Sequence, residues 1–507
     1  MQKTEVLIIG AGPTGLVLAL WLAKIGVKAR IIDKADKPGT TSRALVIHAR
    51  SLEFYHQMGF AETAIKRGIE IKGANIWTGG KQTGHIAFSD LKENITPYQF
   101  MFGLPQDEEE QMLEQQLAAM GVSVDRSTEL ISFEQTETGI QAQLTKANGE
   151  QDTCEATYLA GCDGAHSAVR RLLGVKLPGG TYDETFYVAD IKSKGRFVQG
   201  EVNIALDEAD FLAIFPLKPG EIRLVGTIRE DALNKKQLEW EDVSESIIKR
   251  LKLEIEEVKW FSTYRVHHRV ATHFRKGNVF LLGDASHIHS PVGGQGMNTG
   301  IGDAVNLAWK MGEVINGKAP DAILDTYEQE RMRFAKRLVA TTDKAFEFIS
   351  ARSSFATWVR IHIVPYLVPW LMGFVQMRRF LFRTMSQTSI SYLNSLLSEG
   401  SVGELKAGER LPWVELEGGT DNFESLTTMK WQVHVYGTAS KALQELCNKR
   451  SINLNVFYWN KTADEAGLKE DAIYGVRPDG YIGIACHANE TQKMESYFEK
   501  WRIGVSG

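Results

Sequence analysis

Residues 5–33 read EVLIIGAGPTGLVLALWLAKIGVKARIID, and the punctuation of this stretch decides the fold. EVLIIG is a compact β-branched run of strand length, GAGPTG is a turn, and LVLALWLAKIG is an apolar helix stopped by Gly26. VKARIID is then a second strand that ends on Asp33. In a unit of strand, glycine turn, helix and strand, Gly10 permits the tight turn, Gly12 lets the backbone approach a pyrophosphate, and Gly15 lets the helix pack on the strand. The helix N-terminus, with Pro13 and Thr14 in its first turn, supplies amides and partial positive charge. Asp33 lies eighteen residues past Gly15, where a carboxylate receives an adenosine ribose hydroxyl, and Lys34 follows it. A glycine turn without a ligand needs neither the acid nor its register, so the unit reads as a dinucleotide site, open to NAD(P) or FAD.

An NAD dehydrogenase would continue with further short βα units, whereas here Asp33 is followed by KADKPGTTSRALVIHARSLEFYHQMG, a loop and then a helix. A disulfide reductase built from two dinucleotide folds would need a second GxGxxG and a redox cysteine pair. The nearest later candidate, GGQGMNTG, has Thr299 where the third glycine would fall, and Cys154, Cys162, Cys447 and Cys486 form no CxxC.

At 507 residues the chain exceeds one ordinary hydrophobic core, so two or three domains are expected. Its 58 basic and 63 acidic side chains give a net charge of -5, which argues against a nucleic-acid partner. Scarce cysteine and a motif that begins within the first residues, with no secretory h-region, point to a reducing cytoplasm. WVRIHIVPYLVPWLMGFV, residues 358–375, is shorter than a membrane span and carries Arg360, His362, Pro365 and Pro369. It is expected to be a packed, kinked helical segment with no integral span, peripheral membrane contact being the alternative.

A second stretch raises its own question. NVFLLGDASHIHSPVGGQGMNTGIGDA, residues 278–304, is an apolar strand ending at Gly-Asp, followed by two histidines and a crowd of glycines. Such a loop suits a metal on His287 and His289, a phosphate on backbone amides, or a flat organic cofactor. No further His or Cys cluster accompanies the pair, so no metal is expected.

Recognition narrows the choice. YLAGCDGAHSAVRRLLG, residues 158–174, resembles the DG motif of the flavin-dependent aromatic hydroxylases typified by para-hydroxybenzoate hydroxylase. GDASHIHSPVGGQGMNTGIGDAVNLAWKM, residues 283–311, resembles the second FAD fingerprint of the same family. With GAGPTG these make three ordered motifs across roughly the first 350 residues, and the later chain looks like the phenol and polyketide hydroxylases that carry a thioredoxin-like C-terminal domain. The resemblance implies an α/β protein: a Rossmann-like FAD-binding domain from 1–70, 101–180 and 273–395, an inserted β-sheet substrate domain from 71–100 and 181–272, and a thioredoxin-like domain at 400–507 without active cysteines.

The same resemblance implies site residues. FAD contacts fall to Gly10, Gly12, Pro13, Thr14, Gly15, Asp33, Lys34, Arg43 in the SRA stretch, Gln106, Asp163, and Asp284 on the ribityl chain. The loop through Pro291, Gly293, Gly294 and Gly296 would lie beside the isoalloxazine, Pro291 and Gly293 on its reacting side, because any Cβ would hold backbone away from a flat ring. The helix starting near Met297 and Asn298 would aim amides at the pyrimidine edge. Asp163 has a plainer alternative as a helix cap, and the acids Asp107, Glu108, Glu109 and Glu110 read as a solvated first helical turn.

The activity implied is an FAD-dependent monooxygenase that hydroxylates an aromatic, phenolic or polyketide-like substrate with NAD(P)H and O2 through a flavin hydroperoxide. An antibiotic-inactivating monooxygenase, or a flavin-binding reductase or sensor without oxygen transfer, would keep the same motifs. Strand-like FLAIFPL and EIRLVGTI fall in the substrate region, where Phe186, Tyr187, Phe211 and Phe215 are candidates to line an apolar pocket. His267 and His268 would either accept a phenol proton or belong to a basic outer strand, and no catalytic base is assigned. The expected partners are a small aromatic or polycyclic substrate, O2, and a second copy in a homodimer.

Overall fold

The apolar run at residues 6–9 is the buried end of the strand Gln2–Ile9, and the helix Pro13–Lys24 follows it directly. That helix is buried without a break from Gly15 to Leu22, as expected of a helix that is apolar all round. The computed structural model describes all of the chain except residues 1, 40–43, 89–94, 207–210, 229–234, 236–237, 244, 291, 351–357, 360–361 and 505–507.

Gln2–Ile9 is the centre of an eight-stranded sheet. Val124–Asp125 and Ala29–Ile32 lie on one side of it, Gln151–Gly161 and Val279–Leu281 on the other, and these five strands run parallel. The register positions the site: Ile9 pairs with both Ile32 and Gly161, and Gly161 pairs with Leu281. Four strands therefore end level. Gly10, Asp33, Asp163 and Asp284 all leave from one carboxyl edge, where open α/β sheets bind their ligands.

A second eight-stranded sheet has the order His287–Ile288, Glu254–Val270, Gly179–Lys194, Glu221–Thr227, Phe211–Pro216, Val202–Leu206, Gly73–Thr78 and Lys81–Ala87. Its first strand comes from the glycine-rich loop itself, so the loop is stitched to this sheet by main-chain bonds beside Arg269 and Val270. His267 and His268 lie on Glu254–Val270 and pair with Thr181 and Gly180 on one side, while on the other side the strand is covered only at Arg269 and Val270, so the two histidines stand near the outer edge of the sheet.

From residue 432 onward, Gln432–Tyr436 pairs in parallel with Asn453–Phe457 and antiparallel with Ile473–Val476, which pairs antiparallel with Ile482–Cys486. Helices Lys441–Lys449 and Thr491–Trp501 accompany these strands. The unit shares a core with the first sheet, where Trp309 meets Trp431 edge to face at 5.8 Å. Between them Glu330, fully buried, accepts from Lys310 at 2.8 Å and from both Arg477 amino groups at 2.8 and 3.0 Å. Burying one of these charges without its partners would cost several kcal/mol, roughly 3–5, so the cluster fixes how the two units sit.

One expectation holds only in part. Of the described residues in 358–375, the helix Val364–Met372 packs on the strand Lys81–Ala87 but leaves Tyr366 64% and Trp370 61% exposed on its other side. Among the described residues no helix is long and apolar enough to cross a membrane.

Candidate cofactor and substrate site

The three glycines of GAGPTG serve two different needs. A Cβ on Gly10, at φ +102°, would lie 2.4 Å from the Cys162 carbonyl oxygen, and one on Gly15 would lie 2.0 Å from the Gly10 carbonyl oxygen. Those two are packing glycines. A Cβ on Gly12 would meet nothing nearer than Glu110 Oε1 at 3.9 Å, so the space before the helix N-terminus is open. Pro13 is buried in the first helical turn, and Thr14 is wedged against Gly283 and Gly300, where a Cβ would come within 2.8 and 2.2 Å of its Oγ1.

Asp33 does more than was expected of it. Its Oδ2 accepts from the Ala11 amide at 2.7 Å and its Oδ1 from the Ala35 amide at 2.8 Å, tying the glycine turn to the end of the second strand. Each oxygen keeps a further lone pair for a hydroxyl. Lys34 beside it is exposed. Asp163 Oδ2 caps the short helix Ala168–Leu172 through the Ala168 and Val169 amides, while its Oδ1 is buried without a hydrogen-bond partner. Capping accounts for half of that carboxylate, and the other half faces an unfilled need.

In the second loop, Gly283 and Asp284 open a short turn, with Gly283 at φ +56° and Asp284 exposed. The Gly283 amide donates to the buried carboxylate of Asp303, which also pairs with His287 at 2.8 Å and Arg331 at 2.6 Å. His287 is thus part of a structural ion network. His289 Nδ1 lies 2.8 Å from the Ser290 carbonyl, and its Nε2 is buried without a partner. Burial, reinforced by His287, lowers its pKa to about 4, so the ring is neutral. Among the described residues no group of three His, Cys, Asp or Glu could hold a metal ion.

Gly293 and Gly294 take φ +77° and +63°, and Gly294 caps the helix Gln295–Ile315. Asn298 clamps this turn: its Nδ2 donates to the Gly294 and Val46 carbonyls, and its Oδ1 accepts from the His48 amide and the Ser51 hydroxyl. A Cβ on Gly296 would meet only the His289 ring, at 3.9 Å. Met297 is half-buried in the same helical turn. His48, held neutral by burial at a pKa of about 4, also has a buried, unpartnered Nε2. Open space at Gly12 and Gly296, with the orphaned atoms of Asp163, His48 and His289 near it, is what a polar cofactor lying along this edge would fill. Arg43 and Pro291 lie outside the described residues.

Gln106 begins the helix Gln106–Ala119 and donates to Glu110 Oε1 at 2.7 Å. The acidic run is not a solvated turn. Glu109 is fully buried and Glu110 nearly so, because the helix packs on Pro13–Lys24 and turns both inward. Glu109 accepts from the Tyr55 hydroxyl, and burial pushes its carboxyl up to about 8.

On the second sheet the register sorts the aromatic candidates. Phe186 faces Thr227 and Tyr264 across the strands, and Asp190 faces Arg223, which in turn faces Phe215. With strand alternation this puts Phe186, Phe211 and Phe215 on one face together with Tyr264 and Trp260. Tyr187 goes to the other face, packed against Phe261 and Trp240. It cannot share a pocket with Phe186. The first face turns toward the cofactor edge, since Arg223, paired with Asp190 at 2.7 and 2.8 Å, also donates to the Ala44 carbonyl at 3.2 Å.

Sequence reasoning overlooked Asp303, Arg331, His48, Arg223 and the Glu109–Tyr55 pair. For Arg223 a signal existed, a lone arginine within the otherwise apolar EIRLVGTI.

Comparison with known proteins agrees with this geometry. Residues 3–342 match the family model described as an FAD binding domain. The chain is 33% identical over 416 residues to 6-methylpretetramide 4-monooxygenase of Streptomyces rimosus, covering 80% of this chain and 72% of that protein. It is 34% identical over 352 residues to pentachlorophenol 4-monooxygenase of Sphingobium chlorophenolicum, covering 68% and 64% respectively. Among solved structures, the OxyS anhydrotetracycline hydroxylase from Streptomyces rimosus superposes over the whole of both chains with a TM-score of 0.81 at 28% identity. This chain belongs to the FAD-binding-domain family, among the flavin-dependent aromatic hydroxylases.

Proposed function

We propose that the protein is an FAD-dependent monooxygenase that uses NAD(P)H and O2 to hydroxylate an aromatic, phenolic or polyketide-like substrate. The observation that carries this reading is the meeting of a dinucleotide cradle, at the carboxyl edge of the first sheet, with an aromatic face of the second sheet through Arg223 and Ala44. The family match and relatives named for phenol and polycyclic substrates support it. FAD, when bound, would supply the redox chemistry, by which NAD(P)H is oxidised and one atom of O2 enters the substrate ring while the other leaves as water.

The chain's own residues bind, orient and keep dry. The helix N-terminus at Gly12, Pro13 and Thr14 would receive the pyrophosphate, Asp33 the ribose, and Asp284 the ribityl chain, with the backbone of Asp163 packed beside Gly10. The turn Gly293–Gly294, held by Asn298, presents bare backbone to the ring. Phe186, Phe211 and Phe215 give the substrate side an apolar wall that excludes water, which protects oxygen transfer from wasteful peroxide release. His289 and His48, both neutral, bring no cation to that wall.

The division into a cofactor domain, a sheet domain and a C-terminal domain belongs to the same reading. The C-terminal strand order, with one parallel and two antiparallel pairings, supports a thioredoxin-like unit. Its cysteines Cys447 and Cys486 are free, buried and pushed up to about 11 and 12, so it serves packing and not thiol exchange. Four unpaired cysteines fit a reducing cytoplasm.

The test is turnover of FAD-loaded protein with NAD(P)H, isotopically labelled O2 and a panel of phenols and fused-ring polyketides. One labelled oxygen in an organic product is the expected result. NAD(P)H consumption that ends wholly in peroxide with every compound overturns the reading.

A further inference from the structure

We propose that the helical hairpin formed by Val364–Met372 and Val375–Met385 docks the enzyme onto an anionic phospholipid bilayer, lying in the interface without crossing it. The helix Val364–Met372 packs along the strand Lys81–Ala87, at the free edge of the second sheet, the helix Val375–Met385 packs on that helix, and both leave apolar side chains exposed. Trp358, Tyr366, Leu367, Trp370, Phe374 and Phe380 are each between 42% and 66% exposed. Helix Val375–Met385 buries none of its residues. A cluster of this kind on a water-facing surface marks an interaction site.

Charge identifies the occupant. Residues 364–398 contain no Asp, Glu or Lys and three arginines, Arg378, Arg379 and Arg383, in a chain whose 63 acids outnumber its 58 bases. Arg379 and Arg383 are exposed on the same short helix as Phe380. Aromatic rings set among arginines are the composition of an interfacial helix on acidic headgroups, where each cation near the surface adds to the attraction. Tyr366 and Trp370, four residues apart, share one face of Val364–Met372, and the Phe374 ring just beyond that helix meets Trp370 edge to face at 5.0 Å. Nine and eleven residues of helix are about 14 and 16 Å long, half of a bilayer core of about 30 Å, so the hairpin lies in the plane. A second copy is the weaker occupant. An isologous dimer through this patch would bring two sets of its arginines together with no acid in the segment to pair them.

Flotation of the full-length, FAD-loaded protein with vesicles tests the proposal. Binding to phosphatidylcholine vesicles carrying about 30% phosphatidylglycerol, weak binding to phosphatidylcholine alone, and release by salt are expected. Trp370→Ser with Phe380→Ser, and separately Arg379→Glu with Arg383→Glu, should each weaken vesicle binding about tenfold or more while flavin absorbance and melting temperature hold. The charge variant keeps the test decisive if the apolar one fails to fold. Absence of wild-type binding to the anionic vesicles, or binding that neither folded variant weakens, overturns the proposal. So does a wild-type dimer in solution that these substitutions dissociate. None of these readouts depends on substrate turnover, so failure here and failure of the hydroxylase reading are separable.

Discussion

Arg223 and Ala44 join the two halves of the site: the guanidinium, gripped by Asp190 through two bonds, donates to the Ala44 main-chain carbonyl at 3.2 Å. Arg223 is 2% exposed, so its charge is compensated by Asp190 and its reach fixed by the fork geometry. Arg223→Ala should leave Asp190 without its partner and destabilise the fold by roughly 3–5 kcal/mol. Arg223→Lys keeps the charge but loses the fork. The lysine variant should bind FAD normally yet lose several-fold more NAD(P)H to peroxide, measured as oxygen returned by catalase. Unchanged coupling in that variant would show that the Ala44 contact does not hold the substrate face in place.

The glycines divide into packing and ligand positions, and substitution should separate them. Gly15→Ala brings a Cβ to 2.0 Å from the Gly10 carbonyl oxygen and should cost folding about 3 kcal/mol or more, lowering expression and melting temperature with or without FAD. Gly296→Val meets no protein atom within 3.9 Å of its Cβ and should leave the apoprotein's melting temperature nearly unchanged. Its FAD affinity should fall by about a hundredfold, because the branch occupies space meant for the ring. A Gly296→Val protein with the wild-type flavin spectrum would move the cofactor away from this loop.

Asp33 predicts a graded series. Asp33→Asn keeps one acceptor oxygen for the Ala11 or Ala35 amide but cannot serve both, and Asp33→Ala strands both. Loss of a charge-assisted bond is worth roughly 1.5–3 kcal/mol, so FAD affinity should drop about tenfold in the first variant and further in the second. Fluorescence titration of apoprotein with FAD measures it. Equal affinities across the series would mean that the carboxylate neither shapes the turn nor meets the ribose.

The cradle was legible because its constraints are local: the glycine spacing, the apolar strand before it and the acid after it are each set by contacts within a few residues. Long-range pairing escaped. Asp303 looks like any acid within an apolar helix until its partners His287 and Arg331, sixteen and twenty-eight residues away, are brought to it. Acids at a helix start ordinarily face water, so Glu109 and Glu110 gave no sign that the helix would turn them onto Pro13–Lys24. For Tyr187 the alternation of the strand was available, but which face looks at the cofactor depends on Arg223 reaching Ala44. The exposed hairpin misled because its apolar content, the usual mark of a core, is presented outward.

Glu109 supplies a prediction in pH. Burial, with a smaller contribution from the Glu110 charge, raises its folded pKa to about 8 from an ordinary value of 4.5, although the Tyr55 bond pulls the other way. Between those values the folded protein holds a proton that the unfolded chain has released, so this group's contribution to stability is complete below pH 4.5 and is lost as pH rises toward 8. Glu109→Gln keeps an acceptor for the Tyr55 hydroxyl and removes the titration. Relative to wild type the variant should therefore gain stability progressively through that window, by roughly 1–3 kcal/mol near neutrality. Urea unfolding of both proteins at several pH values gives the difference directly, free of the other titrating groups that they share. A difference that stays flat with pH would mean that Glu109 is already ionised in the folded protein, and that the Tyr55 hydroxyl donates to a carboxylate and not to a neutral acid.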